Sequence, residues 1–112
     1  MQLLKFRIEP GEEVIAVLKD EFKKRNLQGG AIVSVIGAVD QCCISNMPKE
    51  DAKKDILNEY REPFELSGTG EIRDGAPHIH CTLSKEGDAV LHGHLHWAKV
   101  EAWYVSVFVL VD

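Results

Sequence analysis

The sequence predicts an α+β fold: a mixed, mostly antiparallel sheet with one principal helix packed on it. Short stretches of alternating apolar and polar residues, the pattern of half-buried strands, recur along the 112 residues. Only one segment, around Val14, Val17, Leu18 and Phe22, has the three- and four-residue spacing of an amphipathic helix. The length suits one hydrophobic core, so residues 1–112 are expected to form a single domain.

The first third of the chain predicts strand, helix, strand. Leu4, Phe6 and Ile8 alternate with charged residues, and Pro10–Glu13 is a typical helix start. The glycine pair Gly29–Gly30 is predicted to end the helix. The continuously apolar segment Ala31–Ile36 then predicts a central strand that is buried on both faces.

The remainder predicts a β-rich half. The polar segment Pro48–Arg61 is expected to be a loop or hairpin tip. Two alternating strands, His78–Leu83 and Ala89–Trp97, are followed by a long apolar strand, Val100–Val111. This last strand is more apolar than an exposed edge strand, which favours an oligomer.

Composition excludes several classes of function. The net charge is −5 and no basic stripe is present, so the chain alone is not expected to bind nucleic acid. No apolar run approaches the ~20 residues that span a bilayer, so no membrane partner is expected. Three cysteines, Cys42, Cys43 and Cys81, do not make a disulfide framework and suit a reducing compartment. The expected location is the cytoplasm.

All five histidines lie between His78 and His96. His78 and His80 are two residues apart on one predicted strand, so both side chains leave the same face. His92, His94 and His96 do the same on the next strand. Imidazoles gathered in this way predict a metal site, although the ligand type suits zinc, copper, nickel and iron alike.

The loop between these two strands decides which histidines meet. A three-residue loop, Glu86–Asp88, places His80 opposite His94 and His78 opposite His96. A five-residue loop pairs His80 with His92 and His78 with His94. A loop of even length separates the two sets onto opposite faces. The alternative to a metal site is a row of polar side chains facing solvent.

Five segments in order resemble one known family, the PPC (plants and prokaryotes conserved) domain. They are Glu9–Val14, Val33–Val39, Phe64–Gly70, Pro77–His80 and Gly93–Leu95. The resemblance extends over nearly the whole chain. The chain is therefore identified as similar to a stand-alone prokaryotic member, related to the domain found in plant AT-hook proteins.

The resemblance implies an α+β fold that assembles as a homotrimer. It also implies that His78, His80 and His94 form the metal site, with zinc as the expected metal; His92 and His96 are secondary candidates. His92 stands where the family usually has a glycine. The chain contains no AT-hook, so DNA binding as in the plant relatives is not expected of it.

These observations favour a non-enzymatic, trimeric binding or regulatory module with a histidine-based metal site. Its expected partners are further copies of itself and a protein or small ligand, and no catalytic residue is assigned. One alternative is a small zinc hydrolase, for which Glu65, Glu71 and Glu101 are available as bases. The others are a DNA-binding regulatory protein and a purely structural oligomer.

Overall fold

The computed structural model describes all residues 1–112 and contains one helix and eight strands. The elements in chain order are β1 (Gln2–Ile8), α1 (Val14–Lys24), β2 (Gly29–Val39), β3 (Gln41–Asn46), β4 (Ile56–Tyr60), β5 (Phe64–Arg73), β6 (Ala76–Ser84), β7 (Val90–Lys99) and β8 (Val105–Val111). The strands form one sheet in the order β1-β8-β2-β5-β6-β7-β3-β4.

The mostly antiparallel sheet with one helix agrees with the sequence prediction. The expected mixed sheet, however, is not found, because every strand pairing is antiparallel. The crossover β1–α1–β2 does bring two strands to the same orientation, but β8 lies between them and is antiparallel to both.

The helix begins where the sequence predicts and ends earlier. The carboxylate of Glu13 caps it by accepting hydrogen bonds from the backbone N–H groups of Ile15 at 2.8 Å and Ala16 at 2.9 Å. The helix stops at Lys24, and Asn26 then takes a positive φ of 54°. Gly29 and Gly30 therefore open β2 instead of closing the helix.

Helix α1 covers one face of the sheet, here called the inner face; the opposite side is the outer face. In β2 the side chains of Ile32, Val35 and Val39 are buried in the core under the helix. Val33 and Ile36 lie on the outer face and are 45% and 54% exposed. The prediction that this strand is buried on both faces is wrong, since no second helix covers the outer side.

The C-terminal strand is shorter than predicted. Strand β8 begins at Val105, and its inner-face valines are buried in the core. On the outer face, Phe108 and Leu110 are half-buried. With the exposed Leu3, Val33 and Ile36 they form what we call the outer apolar patch, on neighbouring strands β1, β8 and β2.

The sheet is strongly curled. Asp40 alone separates β2 from β3, yet three strands lie between them in the sheet order. In a flat sheet those positions would be about 19 Å apart, at ~4.8 Å per strand. The segment Pro48–Arg61, predicted as a loop or hairpin tip, closes the β3–β4 hairpin and supplies the edge strand β4.

The three cysteines are free, buried thiols. Burial raises the pKa of Cys42 to about 11 and that of Cys81 to about 12, so neither forms a reactive thiolate near neutral pH. No helix in the chain is both long enough and apolar enough to cross a membrane.

Candidate metal centre

The β6–β7 hairpin positions the histidines. Ser84 pairs with Val90, and the N–H of Lys85 donates to the carbonyl of Ala89 at 3.0 Å, so the loop consists of three residues, 86–88. His80 consequently lies directly opposite His94. This is the register that the sequence predicts for a three-residue loop, and it places the imidazoles on the outer face.

Three imidazoles meet at one point. One ring nitrogen from each of His78, His80 and His94 lies within 4.8 Å of the other two. Two nitrogens that bind the same zinc ion in tetrahedral geometry are ~3.3 Å apart, so the rings would have to approach one another by up to ~1.5 Å to complete a site. His78 and His94 are half-buried, whereas His80 is exposed and leaves the cluster open to solvent.

The two remaining histidines have hydroxyl groups as partners, and the ring centroid of His96 lies 4.6 Å from that of His94. Thr82 Oγ1 lies 3.0 Å from His92 Nδ1, and Ser45 Oγ lies 2.7 Å from His96 Nε2. The predicted pairing of His78 with His96 is not found, since the paired residues of β6 and β7 end at His80 and His94. A bulge at residue 96 interrupts the regular spacing of β7 at this point. His78 instead approaches His94, with the ring centroids 4.8 Å apart.

A carboxylate supports His78 from the neighbouring strand. Glu71 is its cross-strand partner, and Glu71 Oε2 lies 3.1 Å from His78 Nδ1. Hydrogen bonds from His78 and Arg73 lower the pKa of Glu71, which therefore stays ionised. A carboxylate that accepts the Nδ1 proton leaves Nε2 with its lone pair free, as a metal ligand requires.

The cluster favours neutral imidazoles. Partial burial, followed by the neighbouring rings of His78 and His92, lowers the pKa of His80. Burial and the rings of His96, His78 and His80 lower the pKa of His94 in the same way. Both rings are therefore uncharged at neutral pH, the form that binds metal ions.

Glycines in β5 allow the histidine strand to lie close. A Cβ on Gly70 would collide with the carbonyl oxygen of His78, and one on Gly68 would collide with that of His80. The absence of a side chain at both positions allows the backbone of β6 to lie close to β5 at His78 and His80. The sequence shows these glycines, but only the register shows what they face.

The chain as a whole matches one family model. The family model of the Plants and Prokaryotes Conserved (PCC) domain matches residues 1–112. PCC and PPC are two abbreviations of the same family name. The protein belongs to this family. The resemblance carried by the five sequence segments is thus confirmed for this PPC domain.

Solved structures agree with the assignment. A plant- and prokaryote-conserved protein from Pyrococcus horikoshii is 26% identical, with a TM-score of 0.84 over 100% of this chain and 80% of its own. A metal-containing protein from Archaeoglobus fulgidus is 31% identical, with a TM-score of 0.80 over 98% and 79%. A Bacteroides thetaiotaomicron protein named as a candidate DNA-binding protein is 23% identical, with a TM-score of 0.81 over 98% and 78%, and shows the fold alone. No curated protein matches this chain in sequence.

The site of this PPC domain contains more than the predicted histidines. The structure brings His78, His80 and His94 together and leaves His92 and His96 at the margin. Sequence reasoning did not assign Glu71, Thr82 or Ser45 to the site. Glu71 was considered as a hydrolytic base beside Glu65 and Glu101, and only the β5–β6 register singles it out.

Proposed function

We propose that this PPC domain is a non-enzymatic binding module that holds a divalent metal ion, with zinc expected, through His78, His80 and His94. The observation that carries the proposal is the convergence of the three imidazole nitrogens within 4.8 Å. The neutral state of His80 and His94 and the carboxylate behind His78 support it. Three protein ligands leave one position open for a ligand.

The experiment is a zinc titration of protein purified without chelator or affinity tag, together with elemental analysis. We expect about one zinc ion per chain for the wild type and none for a variant with alanine at positions 78, 80 and 94. His96→Ala is the matched control, because its ring is engaged by Ser45 and should be dispensable. Equal zinc affinity of the wild type and the triple variant would refute the proposal.

Binding is favoured over hydrolysis because the carboxylate that is hydrogen-bonded to the cluster is already occupied. Glu71, the carboxylate paired with the cluster, is already bonded to His78 and Arg73. A base that activates water must reach the metal-bound oxygen. We therefore expect a panel of ester and phosphoester substrates to show no zinc-dependent turnover; turnover abolished by chelator and by His80→Ala would favour the hydrolase.

DNA binding is the second candidate, since two structural neighbours, from Bacteroides thetaiotaomicron and Ralstonia eutropha, are named as candidate DNA-binding proteins. The net charge of −5 opposes it for this chain alone, because phosphate contacts need a basic surface. We expect no retention of duplex DNA at physiological salt in a fluorescence anisotropy titration. Nanomolar binding with preference over random sequence would reverse this assignment.

The module is proposed to assemble as a homotrimer. The outer apolar patch supports self-association, because its exposed Leu3, Val33 and Ile36 lie on three neighbouring strands of one face.

A further inference from the structure

A groove runs over the outer face next to the histidine cluster. Its volume is about 610 Å³, within the ~300–1,000 Å³ of small-molecule sites. It crosses from β2 over β5 to β6 and β7. His80, one of the three candidate ligands, forms part of its wall.

The lining of the groove is polar and uncharged. Hydroxyl groups of Ser34, Ser67, Thr69 and Thr82 line it, and no Asp, Glu, Lys or Arg side chain does. A hydroxyl group can both donate and accept a hydrogen bond, so the groove suits an oxygen-rich molecule of either polarity. A charged ligand would find no counter-charge in the protein lining itself.

The cation would come from the metal. Thr69 is the direct cross-strand partner of His80, and His80 in turn is the partner of His94. A molecule lying against Thr69 is therefore next to the imidazoles that would hold the ion. A bound divalent ion would be the largest charge in the site and would select an anionic group.

On β2 the groove ends at Val33 and Ile36, which also belong to the outer apolar patch. Because a second copy of the chain is proposed to cover that patch, the ligand is assigned to the metal end and to the hydroxyl groups of the groove.

We propose that this groove binds a small organic carboxylate, whose carboxylate oxygen takes the open position of the metal ion. Ser67 and Thr69 hydrogen-bond its polar body. The proposal rests on the metal site proposed above and adds the class of its ligand.

The experiment uses lactate, which combines a carboxylate, a hydroxyl and a methyl group, and lactamide, its uncharged counterpart of similar shape. Both are titrated into zinc-loaded wild-type protein by calorimetry, and into cobalt-loaded protein by visible absorption. We expect lactate to bind at least about tenfold more tightly than lactamide, and to change the cobalt spectrum. Equal affinity for both molecules, or an unchanged cobalt spectrum, overturns the proposal.

Ser67→Ala and Thr69→Val test the groove separately from the metal. Each should weaken lactate binding by roughly threefold to tenfold, the effect of one lost hydrogen bond. Zinc affinity should stay unchanged. Ser84→Ala is the control, since Ser84 is another hydroxyl residue, on the neighbouring strand β6, that does not line this groove.

The outcomes separate the two proposals. Failure of the wild type to bind zinc refutes the metal site, and the ligand proposal falls with it. Zinc binding without lactate binding refutes only the ligand proposal. The same holds if the double variant Ser67→Ala/Thr69→Val binds lactate as tightly as the wild type. A change of oligomeric state in the double variant would assign these hydroxyls to a subunit contact and overturn the ligand proposal as well.

Discussion

Three of the five histidines have a side-chain partner at one ring nitrogen. His78 is held by a carboxylate, and His92 and His96 by hydroxyl groups. A carboxylate at Nδ1 makes the opposite nitrogen a stronger metal ligand, whereas a hydroxyl group can satisfy a ring nitrogen in either direction. This difference separates His78 from His92 and His96, whereas His80 and His94 are brought to the site by the register of the β6–β7 hairpin.

Glu71 is the residue whose removal should reveal this ordering. Replacing it as Glu71→Gln keeps the shape but removes the charge that accepts the Nδ1 proton of His78. We expect zinc affinity to fall by about ten- to a hundredfold, as is usual for a lost carboxylate behind a metal-bound histidine. Competition with a chromophoric chelator measures the affinity.

Thermal unfolding of the metal-free Glu71→Gln protein should be close to that of the wild type, because Glu71 is exposed. Glu65→Gln is the control, since Glu65 is an exposed carboxylate of the same strand and lies six residues away from Glu71. Zinc affinity that is the same for both variants would exclude a positioning role for Glu71.

The histidines could be found from sequence, but their supports could not. Strand periodicity alone places His78 and His80 on one face, and a three-residue loop brings His94 to them. Glu71 lies on another strand, β5, and its pairing with His78 depends on the register of a second hairpin, which turns at Asp74 and Gly75. The absence of His96 from the trio comes from a bulge in β7, which leaves no sequence signal of its own.

At the scale of the elements, the β5–β6 contact determines the position of the site. Gly68 and Gly70 have no side chains, so the backbone of β6 lies against the space that a Cβ would occupy. The same strand pair carries the Glu71–His78 hydrogen bond. Tight packing of the backbone and the geometry of the candidate site are thus set by the same two glycines.

Gly70→Ala should therefore damage both the fold and the site. The added methyl group meets the His78 carbonyl oxygen and the His78–Ile79 backbone, which cannot move as a flexible side chain can. We expect a loss of more than about 2 kcal/mol in the free energy of unfolding, in the range typical of steric overlap in a packed region. Urea denaturation monitored by circular dichroism measures it.

Gly29→Ala is the matched control for this prediction. Gly29 also lies in a strand, but nothing is found within 4 Å of a Cβ built there. Its variant should unfold within about 0.5 kcal/mol of the wild type, as surface substitutions usually do. A Gly70→Ala protein as stable as the Gly29→Ala protein would show that β6 can shift without cost.

The elements themselves were predicted best where the helix covers them. Alternation placed β1, β6 and β7 correctly because each presents one face to a single helix. For β2 the strand itself was predicted from a continuous apolar run, but its burial on both faces was not found, because the outer residues Val33 and Ile36 are not covered within the chain. An apolar run marks surface that avoids water, and it does not say whether the same chain or another copy covers it.

At the scale of the whole molecule, stability should depend on pH through the histidine cluster. The pKa values of His80 and His94 are lowered in the folded protein, so the unfolded chain takes up protons first as the pH falls. Their neutral-state stabilisation is complete above about pH 6.5, the ordinary histidine pKa, and is lost as the pH falls through the folded values. Bound metal should be released in the same direction, since protons compete for the ligands.

The measurement is the melting temperature of metal-free and zinc-loaded protein between pH 7.5 and 5. We expect the wild type to lose more thermal stability over this range than a variant with asparagine at positions 80 and 94, which cannot titrate there. The zinc-loaded wild type should show the steepest fall and should release its metal. Identical pH profiles for wild type and variant would remove the cluster as the cause.

Assembly is the property that the outer apolar patch most directly predicts. Strand β8 lies between β1 and β2, and its inner valines are covered by the chain's own core, so only the outer-face residues need a partner. We expect light scattering at micromolar concentration to give about three times the 12.5 kDa chain mass. Ile36→Glu places a charge within the patch and should dissociate the trimer, because burying an unpaired carboxylate costs several kcal/mol. Ile56→Glu is the control, since Ile56 is 51% exposed against 54% for Ile36 but lies on the edge strand β4. A monomeric wild type, or an Ile36→Glu protein that remains trimeric, would show that this face is not the subunit interface.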